Sequence, residues 1–134
     1  MEKVDLKIRT KQFAIDTIRF INELPKSKAN DVISFQIIKS STSVAANYRA
    51  ALRGRSSAEF ISKLNIVLEE SDESQFWFEI IEETSETKDP KKLKQLLNES
   101  NELTAIFASS LKTARNNIKS TNPKLNQNFL NLHS

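Results

Sequence analysis

Residues 36–60, QIIKSSTSVAANYRAALRGRSSAEF, contain Gly54, the only glycine of the chain, and the punctuation that decides the fold. Ahead of the glycine, Ser40, Ser43, Asn47 and Ala50 recur at the 3–4 spacing of one helix face. Small residues there let a neighbouring helix approach closely, and serine hydroxyls bond back to carbonyls one turn earlier. Behind the glycine, Ser56-Ser57-Ala58-Glu59 matches a capping box. The Ser56 hydroxyl is expected to accept from the Glu59 amide, and the Glu59 carboxylate to reach back to the Ser56 amide. Gly54 falls where a left-handed helix C-cap would place a glycine. The stretch therefore reads as helix, corner, helix.

Working outward, the same logic finds four helices. The first covers roughly residues 7–24, with Ile8, Ala14, Ile15, Ile18, Ile21 and Leu24 as its expected apolar face and Pro25 closing it. Ser27 is the expected N-cap of the second, which runs to about Arg53 with Val32, Phe35, Ile38, Val44, Ala45, Tyr48 and Leu52 as core candidates. The third starts at Ser56 and carries the stripe Phe60, Leu64, Val67, Ser71, Ser74, Phe78 and Ile81, widened by Ile61, Leu68 and Trp77. Asp89-Pro90 opens the fourth, with Asp as N-cap and Pro at the first helical position. Leu93, Leu97, Thr104, Phe107, Leu111 and Ile118 mark its core side. Long helices joined by short connections pack antiparallel, so the expected fold is all-α, an up-down-up-down four-helix bundle. Residues 1–119 form one domain. Residues 120–134 are a polar tail, read either as disordered or, through Leu125, Phe129, Leu130 and Leu132, as docking on a neighbour.

Composition supports this outline. One glycine and three prolines leave too few turns for a sheet protein of 134 residues. The absence of cysteine excludes a disulfide framework, thiolate metal sites and a cysteine nucleophile, and fits a reducing cytoplasm. No segment approaches the ~18 apolar residues of a membrane span, and the first eleven residues lack the apolar core of a signal peptide. The net charge of +3 hides an uneven distribution: residues 39–63 hold five basic residues against Glu59, and residues 65–90 hold nine acids against Lys88. Such blocks steer partners or pair between neighbouring helices.

The residues Gln36, Lys39, Ser40, Ser43-Val44-Ala45-Ala46-Asn47, Glu59-Phe60, Leu64 and Glu69-Glu70-Ser71-Asp72-Glu73 resemble the bacterial four-helix-bundle family of 23S rRNA intervening-sequence proteins. Lys11-Gln12-Phe13-Ala14 and Leu24-Pro25 also fit, so the resemblance covers roughly residues 8–118. That family includes the accessory variability protein of diversity-generating retroelements. One departure is that Ala50-Ala51 stands where many members have Glu-Gly, which is similar to a second branch of the family. The resemblance implies a homopentamer around a central channel and nucleic-acid binding (RNA or DNA) through basic residues. For the retroelement branch it implies docking to a nucleic-acid enzyme, a reverse transcriptase.

Three surfaces carry functional expectations, each beside a plainer one. Arg49 and Arg53 at i, i+4, Arg55 past the corner, Lys63 on the third helix and Lys39 farther back make a candidate nucleic-acid patch; the plainer alternative is pairing with acids of the third helix. Phe76, Trp77 and Phe78 span more than one helix face, so at least one must point away from the core, which makes them candidates for an oligomer interface. Glu69, Glu70, Asp72 and Glu73 look like a carboxylate metal box, but a di-iron bundle needs Glu-x-x-His motifs and the sole histidine, His133, lies in the tail. These acids are expected instead to form a solvated or subunit-pairing face. A serine hydrolase lacks its base, and no cofactor motif is present, so neither enzyme, metal nor cofactor is expected. Asn47 is the expected buried amide fixing helix register. The competing functional expectation is a structural or protein-interaction adaptor without nucleic-acid affinity.

Overall fold

The computed structural model describes residues 5–121. Four helices follow in order: α1 (Leu6–Asn22), α2 (Lys28–Leu52), α3 (Ser57–Thr84) and α4 (Pro90–Thr121), with no strand among the described residues. Each packs on its two neighbours around an antiparallel four-helix bundle, the α1–α4 contact being the sparsest. The expectations for the 120–134 tail fall almost wholly outside the described residues.

The helix starts follow local chemistry. Asp5 accepts from the Lys7 amide (2.9 Å), Ser27 from Asn30 (3.0 Å), Ser56 from Glu59 (3.1 Å) and Asp89 from Lys92 (3.0 Å), so each start has a side-chain cap. The capping box is displaced by one residue: Glu59 Oε2 accepts from the Arg55 amide at 3.1 Å rather than from Ser56. The end of α2 also differs from expectation. Gly54 has no positive φ. The helix closes instead by tightening, with Arg53 N–H to Ala50 O (3.1 Å) and Gly54 N–H to Ala51 O (3.0 Å). Glycine relieves crowding there, because a Cβ would lie 3.1 Å from Ala51 O and 3.2 Å from Phe60 N. The first turn of α3 is folded tightly against the last turn of α2.

The core is centred on Phe13, Phe20, Ile37, Val44, Leu64, Val67, Phe78, Leu103 and Phe107. Phe78 packs edge-on against Phe13 with ring centroids 6.1 Å apart and near Phe20 at 6.5 Å. The stripe expected on α3 is the observed one, with Leu64, Val67, Ser71, Ser74, Phe78 and Ile81 buried and Phe60 half-buried. Two other faces are rotated from expectation. On α1, Ile8 is exposed, and Phe13, Thr10 and Thr17 point inward. On α2, Val32, Phe35 and Leu52 are exposed, and Ile33, Ile37, Ser40, Ser41 and Ala51 take the core positions. Buried hydroxyls make this possible. Thr10 donates to Leu6 O (2.7 Å) and Thr17 to Phe13 O (2.8 Å), so each presents only carbon to its neighbours.

Hydroxyls also bridge helices. Ser74 on α3 donates to Ser40 on α2 at 2.9 Å, and Ser71 shares a hydrogen bond with Thr104 on α4 at 2.8 Å. Of the expected small-residue seam, Ser40 packs inward and bridges to α3, and Ser43, Asn47 and Ala50 are half-buried. Asn47, expected to be the buried amide, is only half-buried and donates to Ser43 O of its own helix (3.0 Å). The buried amide is Asn30, which donates to Pro25 O and accepts from Ser85, both at 2.7 Å, tying the α1–α2 turn to the end of α3.

A candidate nucleic-acid interface at one end of the bundle

The unequal lengths of the helices position this site. α1 has 17 residues and α4 has 32. Arg9 and Asp16 of α1 meet Glu99 and Lys92, so α1 lies along the first half of α4. From there α4 runs on for roughly 25–30 Å at 1.5 Å per residue. Beyond the start of α1, Tyr48 of α2 reaches Phe107 of α4, with ring centroids 5.4 Å apart. Burial raises the Tyr48 hydroxyl above its ordinary range, with a smaller contribution from Asp5. Ser57, Ile61, Ala114 and Ile118 line one pocket, which brings the start of α3 beside the end of α4. The start of α1, the α2–α3 corner and the end of α4 therefore share one end.

That end is basic. Arg49, Arg53 and Arg55 are exposed there and Lys63 is half-buried on the second turn of α3. Among the described residues none of these four lies within 4.0 Å of a carboxylate, so the expected alternative of pairing with α3 acids is not what holds them. Among the described residues the acids beside them are Asp5 and Glu59, and both accept from backbone amides as caps. Two contributions escape a reading of the 36–60 stretch alone. Lys7 and Lys11 on α1 border, with Arg49, a shallow groove of about 480 Å³ floored by Ala14, Ala45 and Ala46. Lys112 and Lys119 are exposed on the last turns of α4. Residues 91–134 hold seven basic residues against Glu99 and Glu102, and only the topology brings Lys112 and Lys119 to this end.

Lys39 is not brought there. It lies three turns up α2, close enough to Glu70 to oppose the rise in that carboxyl's pKa caused first by burial and then by Glu73 and Glu69. The aromatic triplet is likewise divided. Phe76 is half-exposed and Trp77 half-buried; their rings meet edge-on at 5.0 Å, and the indole N–H donates to Glu73 at 3.3 Å. Phe78, grouped with them as an interface residue, is fully buried in the bundle's own core, because 100° of helical rotation per residue turns it inward. Among the described residues no group of three or more acids or histidines is placed to hold a metal ion, and no helix is long and apolar enough to cross a membrane.

The family model for 23S rRNA-intervening sequence proteins matches residues 2–109. The chain belongs to that family. A crystallised protein of unknown function from the S23 ribosomal protein family of Bacteroides thetaiotaomicron is 32% identical, with a TM-score of 0.72 over 81% of this chain and 99% of that one. No curated protein matches. For this member of the 23S rRNA intervening-sequence family, the matched residues include α1, α2, α3 and the first two-thirds of α4, and so the α2–α3 corner with its arginines.

Proposed function

We propose that this protein is a non-enzymatic accessory factor of the cytoplasm that assembles with copies of itself, as a pentamer, and binds the phosphate backbone of RNA or DNA through the basic end of each bundle. The observation that carries the reading is the charge arrangement at that end: Arg49, Arg53 and Arg55 stand exposed, and the acids beside them are engaged as helix caps. Phosphate binding needs little more than such a cluster, since the affinity comes from released counterions. In an assembly the patch repeats in every subunit, and weak single contacts add by avidity. The family's name, drawn from 23S rRNA, favours RNA as the first ligand to test. A reverse transcriptase or other nucleic-acid enzyme is a partner of the same kind, reached through the nucleic acid it holds.

The experiment is fluorescence anisotropy with a labelled single-stranded RNA. Affinity is expected to fall at least about tenfold between roughly 50 and 200 mM salt. Arg49→Ala combined with Arg53→Ala should lower it about tenfold at low salt and flatten the salt dependence by about two counterions. Binding that is absent at low salt, or indifferent to both arginines, overturns the nucleic-acid reading in favour of the adaptor.

A further inference from the structure

Two helices present outward stripes of opposite charge, each built around a phenylalanine that the bundle leaves uncovered. On α2 the stripe is Lys28, Val32, Phe35, Lys39, Ala46 and Arg49, all exposed and spaced three, four or seven apart along one face, with exposed Asp31 as the one acid among three basic residues. Val32 is 62% and Phe35 66% exposed. On α3 it is Glu69, Asp72, Phe76, Glu79 and Glu83, again all exposed at the same spacing, with Phe76 49% exposed at its centre. Three of the five large apolar side chains exposed among the described residues, Val32, Phe35 and Phe76, thus sit on these two stripes.

From this pattern we infer that copies of the chain join head to tail, the acidic α3 stripe of one copy seated on the basic α2 stripe of the next. The inference rests on the self-assembly reading above and deepens it by assigning the two surfaces. Charge decides the pairing. Two α2 stripes face to face would set Lys28 and Lys39 against their own kind, and two α3 stripes would oppose four carboxylates with four. Only the unlike pairing covers Phe35 and Phe76 while matching charge. A contact between two different surfaces generates a closed ring or a filament rather than a two-fold dimer.

The levels agree. Ser40 of α2 is bonded to Ser74 of α3, so within one bundle Phe35 and Lys39 lie within about a turn or so of Phe76 and Glu79. In a ring whose axis parallels the helices, neighbouring copies keep these heights, and each acidic stripe lies along the first two-thirds of the neighbouring α2. Arg49, in the last turn of α2, and Arg53 and Arg55 past it lie beyond the covered part and stay clear at the basic end.

Light scattering on single variants and on their mixture tests this. The wild type is expected to be oligomeric at micromolar concentration, and Phe35→Asp and Phe76→Asp each monomeric near 15.3 kDa with unchanged helical circular dichroism. Mixed, the two variants should form a 1:1 dimer that grows no further. Phe35→Asp retains an intact α3 surface and Phe76→Asp an intact α2 surface, so one good contact is available per pair. An oligomeric wild type whose two variants fail to complement each other, or in which only one substitution disrupts assembly, overturns the head-to-tail interface and leaves self-assembly standing. A monomeric wild type overturns both.

Discussion

The stretch of bundle covered by α1 and the end beyond it are built from similar residues but hold their charges differently. Along the α1–α4 seam, charged groups are paired: Arg9 holds Glu99 through two hydrogen bonds of 2.8 and 2.6 Å and reaches Glu102 at 2.7 Å, and Lys92 faces Asp16 at 3.7 Å. The hydrogen bond to Glu99, opposed by partial burial, raises the Arg9 pKa further above its usual value. Arg49, beside Lys7 and Lys11 at the start of α1, and Arg53 and Arg55 past it have no such partners among the described residues. An arginine on the covered side serves the fold; an arginine at the open end is free to serve a ligand. The short first helix creates the distinction: beside Arg49 it offers Lys7 and Lys11 rather than carboxylates, and its one acid there, Asp5, caps a backbone amide.

The strongest way to break this contrast is to attack the core that both regions share. Phe78 lies between Phe13 and Phe20 under α1, and Phe78→Ala should cost about 3–5 kcal/mol. The chain's single tryptophan and single tyrosine report on the two regions separately: Trp77 lies at the covered level and Tyr48 at the junction with the open end. Their fluorescence should lose its folded signal in one urea transition that coincides with circular dichroism. Separate midpoints for Tyr48 and Trp77 would mean that the open end folds as its own unit and that α1 does not set the boundary.

A pair of arginine substitutions sharpens it. Arg9→Ala should lower stability by about 1–2 kcal/mol, as expected for a half-buried bidentate pair rather than a solvated one. Arg53→Ala should move stability by no more than about 0.5 kcal/mol while weakening RNA binding. Urea midpoints and anisotropy on the same two proteins check both halves. Equal losses of stability would erase the difference between structural and available arginines.

Much of the fold is open to a reader of the sequence because punctuation and caps act locally. Ser27, Ser56 and Asp89 cap the helices they appear to cap, and the α3 stripe is buried as its spacing implies. The α2 core face is hidden for a physical reason. Its outward side carries Val32 and Phe35, more apolar than the Ser40 and Ser41 that pack inward, so hydropathy selects the wrong side. Close helix approach selects for small size, and back-bonded hydroxyls cost the core little. On α1 the same inversion places Thr10 and Thr17 inside and Ile8 outside. At the candidate site, Arg49, Arg53 and Arg55 stand out because they are adjacent in sequence. Lys7, Lys11, Lys112 and Lys119 join them only through the antiparallel topology, and Lys39 leaves them because a helix carries it three turns away.

The smallest expected effect concerns Glu70, where α2 and α3 meet outside the core. Burial, then Glu73 and Glu69, raise its carboxyl above 4.5, with Lys39 opposing. A carboxyl raised on folding binds its proton more tightly in the folded chain than in the unfolded one. Its charged form therefore costs stability at neutral pH, and the cost disappears as pH falls through the folded value and below the unfolded 4.5. Glu70→Gln should then be slightly more stable than the wild type at pH 7, with the difference shrinking on acidification and gone by about pH 4. Urea midpoints across that range measure it. If Glu70→Gln is instead less stable at pH 7, attraction to Lys39 outweighs burial and the neighbouring acids. The α2–α3 seam would then be an ion-paired surface like that between α1 and α4, and Lys39 would belong with Arg9 among the charges that hold the bundle together.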